Sequence, residues 1–303
     1  MLLVTNGLIN AFDGMFKGFF GENVVKIKAE IEIDKGEMSE EVKAAMAKTK
    51  QEAAMKGASN SLNEFFDYKS GLDEKTQRTP FSGGSGRLQQ NPELARPALL
   101  MAWVFLGIVA AVGIYFAWKI GAALIPLGLL GLLIIYFYTE WITRYPLLCL
   151  IAPGLGFGPL MVMGTDFVLT GNYSWTAFLA SLVPFFLVSN LLLLNQFPDA
   201  EADQSIGRKH YPIQIGKLKS SRIYLIFLIL PFVVIGIGAV SGLLPLSSLI
   251  GFLALFLVIP ITKGLRGNVG EVEKLIPVQG QNVVINLVTP FLVAIGLFIG
   301  WPG

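Results

Sequence analysis

From residue 98 onward, this chain carries seven apolar stretches in succession, near 98–117, 121–139, 146–165, 176–195, 222–242, 245–262 and 282–301. Each runs about 18–21 residues, the length a helix needs to cross a ~30 Å hydrocarbon core at 1.5 Å per residue. Charge is distributed to match. Of the 44 Lys, Arg, Asp and Glu, 27 fall in residues 1–97 and 17 in the 206 residues that follow. A charged group at the bilayer centre costs at least ~2.5–3.5 kcal/mol, so the depleted part reads as lipid-embedded. The pattern predicts an all-α, polytopic transmembrane helix bundle of about seven spans over 58–303. A polar N-terminal segment, 1–57, precedes it. Pro153, Pro159, Pro184, Pro231 and Pro290 fall inside the spans, where neighbouring helices can satisfy the carbonyls that a proline frees.

Several function classes drop out on composition. The net charge of +2 gives no ground for a nucleic-acid partner. The lone cysteine, Cys149, lies in an apolar run and excludes a disulfide or a thiolate metal site. The lone histidine, His210, leaves no His-based metal or triad chemistry to build on.

The N-terminal segment has its own local signals. Residues 1–20 mix Phe, Leu and Ile with Gly, Asn and Asp, and suit an interfacial amphipathic helix. Residues 24–33, VVKIKAEIEI, alternate apolar and charged and predict a strand. Ser39 is an N-cap candidate for a helix running to about Lys56, too charged to span a membrane. The run Ser82–Gly86 reads as a flexible linker, although such loops can also turn backbone N–H groups toward an anion.

Loop charge orients the bundle. Arg144, Arg208, Lys209, Lys217, Lys219, Arg222, Lys263, Arg266 and Lys274 fall on one side, and Lys119 alone on the other. The first side is therefore read as cytoplasmic.

Two polar stretches on that side carry the chemistry. In Asn195–Gly207, NQFPDAEADQSIG, the residues Asn195, Asp199 and Asp203 recur every four positions, which places them on one face of a helix. In Asn63–Asp73, NEFFDYKSGLD, Asn63 and Asp67 repeat the spacing, and Asp73 follows beyond Gly71. Each stretch alone has an ordinary explanation as a solvated acidic loop. Together they supply two clusters of hard oxygen ligands, the kind that suits Mg²⁺ beside a phosphate-bearing substrate. Two such ions can neutralise and bridge a diphosphate. Arg208 and Lys209 follow the second cluster and are placed to hold phosphate oxygens. Four spans separate the stretches, so both face one compartment.

These residues resemble the two aspartate-rich motifs of the UbiA-type intramembrane prenyltransferases. The wording DYKSGLD, the following RTPFSGGSG, and NQFPDAEAD with its later GRK and Ile215-Gly216 are closest to the branch that includes the 1,4-dihydroxy-2-naphthoate prenyltransferases of menaquinone synthesis. The resemblance covers roughly residues 58–303. It implies transfer of a polyprenyl group from its diphosphate to an aromatic acceptor, with two Mg²⁺ held by Asn63, Asp67, Asp73, Asn195, Asp199 and Asp203. Asp67 and Asp199 would be catalytic, and Arg78, Arg208 and Lys209 would contact the diphosphate. Tyr68, Tyr136 and Tyr138 are candidates to shield an allylic cation, although packing is the commoner role for a membrane tyrosine. The setting would be the cytoplasmic membrane, with both motifs facing the cytoplasm. Two departures stand out. Position 64 is Glu where the family commonly has Asp. The family also has about nine spans, two of them before the first motif, whereas the corresponding region here is polar; those two spans are expected to be missing or replaced. The alternatives are a membrane transporter or cation-binding protein, and an inactive, truncated relative.

Overall fold

The computed structural model describes residues 61–76 and 87–300. The helix, strand and linker expected within 1–57 and 82–86, and Arg78, lie outside the described residues. Within them the chain is helical, with no strand.

Residues 61–70 form α1, and Leu72–Lys75 form the short α2 after a turn at Gly71, whose φ of +69° suits glycine. Arg87–Gln90 is α3. Then come α4 (Ala95–Lys119), α5 (Leu124–Phe137), α6 (Pro146–Leu155), α7 (Met161–Thr170), α8 (Trp175–Ser205), α9 (Tyr211–Gln214), α10 (Lys217–Val240), α11 (Leu255–Leu265) and α12 (Val272–Gly300). A π-helical turn, Gly156–Leu160, joins α6 to α7, and a 3₁₀ stretch, Leu246–Ala254, leads into α11.

Among the described residues, six helices are long and apolar enough to cross a membrane: Pro92–Lys119, Pro146–Thr170, Trp175–Ser205, Lys217–Val240, Leu246–Leu265 and Val272–Gly300. The seventh expected span, α5, has only 14 helical residues, about 21 Å at 1.5 Å per residue. It nevertheless joins the same two ends of the bundle. At its start the Ala123 carbonyl accepts from Tyr173, beyond α7, at 2.8 Å. Just past its end the Thr139 hydroxyl donates to Asn63 of α1. Several helices exceed the hydropathy windows on the side where Asn63 lies, whereas the α6–α7 span overruns its window at the other end, to Thr170. α8 continues ten residues past the expected boundary at 195, and α12 begins at Val272 rather than near 282. Hydropathy detects the lipid-facing part of a helix and is blind to turns that continue into water.

α8 is the central element. Half of its apolar window is buried, against 11% for the span containing α4. Leu187, Leu194 and Phe197 of α8 pack with Tyr224, Leu228 and Ile235 of α10 and Ile285 of α12. The α6–α7 segment approaches α8 closely because Gly154 and Gly158 lie at the contact. A Cβ at Gly154 would meet the Phe185 carbonyl and the Ser189 hydroxyl, and one at Gly158 would meet the Ser181 carbonyl. Small residues serve this purpose between membrane helices, where close van der Waals contact drives association. At the end away from Asn63, Ser174 caps α8 by accepting the Ala177 N–H at 3.0 Å, and Asp166 holds Ser174 through its N–H and its hydroxyl, each at 2.9 Å. Asp166 itself lies within α7.

Candidate active site

α1 and the C-terminal turns of α8 meet at one end of the bundle. The four-residue spacing puts Asn63 and Asp67 on one face of α1, and Asn195, Asp199 and Asp203 along α8. Past α8 the chain turns at Gly207, with a φ of +85°, and the Arg208 N–H returns to the Asp203 carbonyl at 3.1 Å. This turn aims the Arg208 side chain back across the end of α8. Its Nη1 donates to Asp203 Oδ1 at 2.8 Å, and its Nη2 donates to Asp67 Oδ1. One guanidinium thus joins the two motifs across 141 positions of sequence.

Other contacts hold the frame. Asn63 is buried and its side-chain oxygen accepts from Thr139. Thr143, one turn on, donates to the Thr139 carbonyl at 2.7 Å, and its own carbonyl receives the Lys209 N–H at 2.9 Å. The segment after α5 therefore touches both motifs. Asn195 is also buried, and its side-chain oxygen accepts from Gln279 of α12 at 3.2 Å. Lys75 of α2 reaches the Ser205 hydroxyl at 3.3 Å. Sequence reading passed over Thr139, Thr143 and Gln279, because each belongs to a distant part of the chain and to no local pattern.

The charge balance is uneven. Burial pushes the Asp67 carboxyl above its usual range, against the pull of Arg208. Burial works against the charge on Arg208, yet Asp67 and Asp203 together hold its guanidinium firmly protonated. Two carboxylates facing one guanidinium leave room for further positive charge. Beside them lies a cavity of about 190 Å³, lined by Phe66, Asp67, Lys69, Ser70, Thr139, Glu140, Thr143, Arg144, Ile206 and Arg208.

The other expected residues are spread around this centre. Asp199 lies one turn before Asp203 on α8 and is half-buried. Asp73 lies on α2. Lys209 is exposed. Tyr68 is half-buried on α1. Tyr138 is buried, with its hydroxyl 3.9 Å from Cys149 Sγ. Tyr136 is exposed and packs against Trp103 and Phe137; neither it nor Tyr138 lines the cavity. Among the described residues, no three His, Cys, Asp or Glu converge on one point. The donor chemistry still suits a hard divalent cation: carboxylate and amide oxygens, with negative charge beyond what Arg208 neutralises. The sequence reading set His210 aside, but it is buried, and its Nε2 lies 2.8 Å from Asp203 Oδ2.

Residues 45–273 match the family model of the UbiA prenyltransferases. The chain belongs to the UbiA prenyltransferase family. A 1,4-dihydroxy-2-naphthoate octaprenyltransferase of Bacillus subtilis (strain 168) is 28% identical over 165 residues, covering 52% of this chain and 50% of the relative. This UbiA-family chain therefore matches about half the length of that curated relative, over a stretch that supports the branch suggested by the motifs.

Proposed function

We propose that this chain transfers a polyprenyl group from its diphosphate to an aromatic acceptor, with 1,4-dihydroxy-2-naphthoate as the first acceptor to test. The observation that carries the reading is the Arg208 bridge between Asp67 and Asp203. It ties together two acidic motifs, each beside basic residues, next to a small cavity that Asp67 and Arg208 line at the end of an apolar bundle. The cavity, about 190 Å³, is below the ~300–1,000 Å³ of sites that enclose a whole drug-sized ligand. That size suits a polar head group whose apolar chain lies elsewhere, among helices or lipid.

In this reading Asn63, Asp67, Asp73, Asn195, Asp199 and Asp203 hold two Mg²⁺, which supply positive charge to the leaving diphosphate. Arg78, Arg208 and Lys209 bind and orient the diphosphate oxygens. The allylic C–O bond breaks with its electron pair leaving on the diphosphate; a ring carbon of the acceptor forms the new C–C bond and then releases what it carried, a proton or, at a carboxyl-bearing carbon, CO₂, which restores the aromatic ring. The apolar walls keep water from the allylic carbon, since water would capture it first. In this reading the motif side faces the cytoplasm at the cytoplasmic membrane, a reading supported by the nine basic residues that flank that side.

The test is direct. Membranes containing the chain receive Mg²⁺, a labelled geranylgeranyl or longer diphosphate, and in parallel dihydroxynaphthoate, 4-hydroxybenzoate and homogentisate. The expected result is a prenylated product with one acceptor, lost in excess EDTA and lost in D67N and D199N while protein still accumulates. Undiminished product in EDTA removes the metal assignment, and undiminished product in both variants removes the site.

A further inference from the structure

The chain's single histidine was excluded from the chemistry because no second histidine exists to complete a metal site or a triad. Its position assigns it another task. Asp203 is only 3% exposed, and a carboxylate buried that deeply is stable only when both oxygens are bonded. Oδ1 receives Arg208 Nη1, and Oδ2 faces His210 Nε2, each at 2.8 Å. A carboxylate only accepts, so Nε2 is the ring nitrogen that carries the donated proton. The other ring nitrogen, Nδ1, is buried with no hydrogen-bond partner, so the imidazole is anchored by this one bond and by packing.

The backbone around His210 is held in turn. The preceding Lys209 N–H is bonded to Thr143, and the His210 carbonyl receives the N–H groups of Ile213 and Gln214 at 3.0 and 3.1 Å, opening α9. Pro212 follows at the start of that helix, where its fixed φ is already helical. The imidazole is thus presented by a well-bonded turn to the Asp203 oxygen that Arg208 does not bond.

We propose that His210 is a positioning residue. By holding Asp203 Oδ2, it fixes the rotation of the carboxylate so that Oδ1 meets the Arg208 guanidinium that also bonds Asp67. The proposal rests on the prenyl-transfer reading only for the reaction it serves; the orientation of Asp203 toward a cation is testable without turnover. Groups that orient a metal-binding carboxylate typically change metal affinity about 10–100-fold when removed.

The experiment uses the full chain in detergent, with wild type, H210Q and H210L. The glutamine amide nitrogen can reach the place of Nε2, and leucine fills the space without a donor. Thermal unfolding is followed with and without Mg²⁺ plus inorganic diphosphate, and the Mg²⁺ concentration for half-maximal prenyl transfer is measured alongside. Wild type and H210Q are expected to gain stability from the pair of ions at similar concentrations. H210L is expected to need at least about tenfold more Mg²⁺ in both measurements. If H210L does not accumulate, H210Q against H210N carries the same test, because the shorter asparagine stops short of Oδ2. Equal Mg²⁺ requirements in H210L and wild type, or equal losses in H210Q and H210L, overturn the proposal. So does a wild-type chain whose unfolding does not respond to the ions. A wild type that responds but transfers no prenyl group removes only the reaction and leaves the positioning role in place.

Discussion

Arg208 has one positive charge and two carboxylates to satisfy. Its side chain and those of Asp67 and Asp203 are 16%, 19% and 5% exposed, so none of the three is solvated as a surface ion would be. Breaking a buried pair by removing one side costs roughly 3–5 kcal/mol, with the lower end fitting the partly wetted Asp67. R208M should therefore unfold at a lower temperature than wild type. It should also respond more strongly to Mg²⁺, because the two stranded carboxylates no longer have a competing cation, and a ligand of the folded state stabilises it in proportion to the logarithm of its binding. Unfolding curves of both proteins across a Mg²⁺ series decide this. The same Mg²⁺ response in the two proteins would mean that these carboxylates do not form a cation site. The sequence made the carboxylates legible, since residues four apart share a helix face. It did not make the bridge legible, because nothing local says which of several basic residues will turn back. The reversal at Gly207 decides in favour of Arg208 over Lys209. His210 and Thr139 escaped for a related reason: a single residue with a single long-range bond leaves no periodic trace.

At the level of elements, the apolar windows located the membrane helices, and the differences lie at their ends. α8 runs on to Ser205, so Asn195, Asp199 and Asp203 sit on continuous helix and keep a fixed spacing, where a loop would let them drift. Pro184 and Pro198 lie inside it without ending it, as packed neighbours allow in membrane helices. That rigidity depends on how α8 is buttressed, and the α6–α7 segment is its closest support. Gly156 and Gly158 separate the two effects a glycine can have there. A Cβ on Gly156 meets nothing within 4 Å, whereas one on Gly158 meets the Ser181 carbonyl and Phe185. G156A should be neutral, since alanine suits a helical turn better than glycine. G158A should lower stability by about 1–3 kcal/mol through overpacking, and should weaken prenyl transfer by shifting α8. Thermal unfolding of the two variants side by side is the check. Equal midpoints would show that close approach of the π turn to α8 is not what holds the helix.

Across the whole molecule, the helices alternate between two ends that can be told apart by their contacts. One end gathers Asn63, Thr139, Arg208 and Ser205. The other gathers the Ala123–Tyr173 bond, the Thr176–Leu243 bond and the Ser247–Gly296 bond. The short α5 belongs to this alternation despite its length, because without its crossing Thr139 could not reach Asn63. Counting spans in the sequence gave the same alternation, and the nine basic residues beside the motif end are the ground for proposing that this end faces the cytoplasm. Two engineered cysteines test the assignment. The native Cys149 is 1% exposed and should stay silent. Ser205 ends α8, ahead of the segment that leads into α10, and Ser241 follows the far end of α10; both are exposed. In intact cells an impermeant thiol reagent should label S241C and spare S205C, and permeabilisation should expose S205C. The reverse pattern would put the acidic motifs outside, away from any cytoplasmic supply of prenyl diphosphate, and would end the proposed reaction. Labelling of both cysteines from one side would mean that α10 does not cross, and the alternation itself would fail.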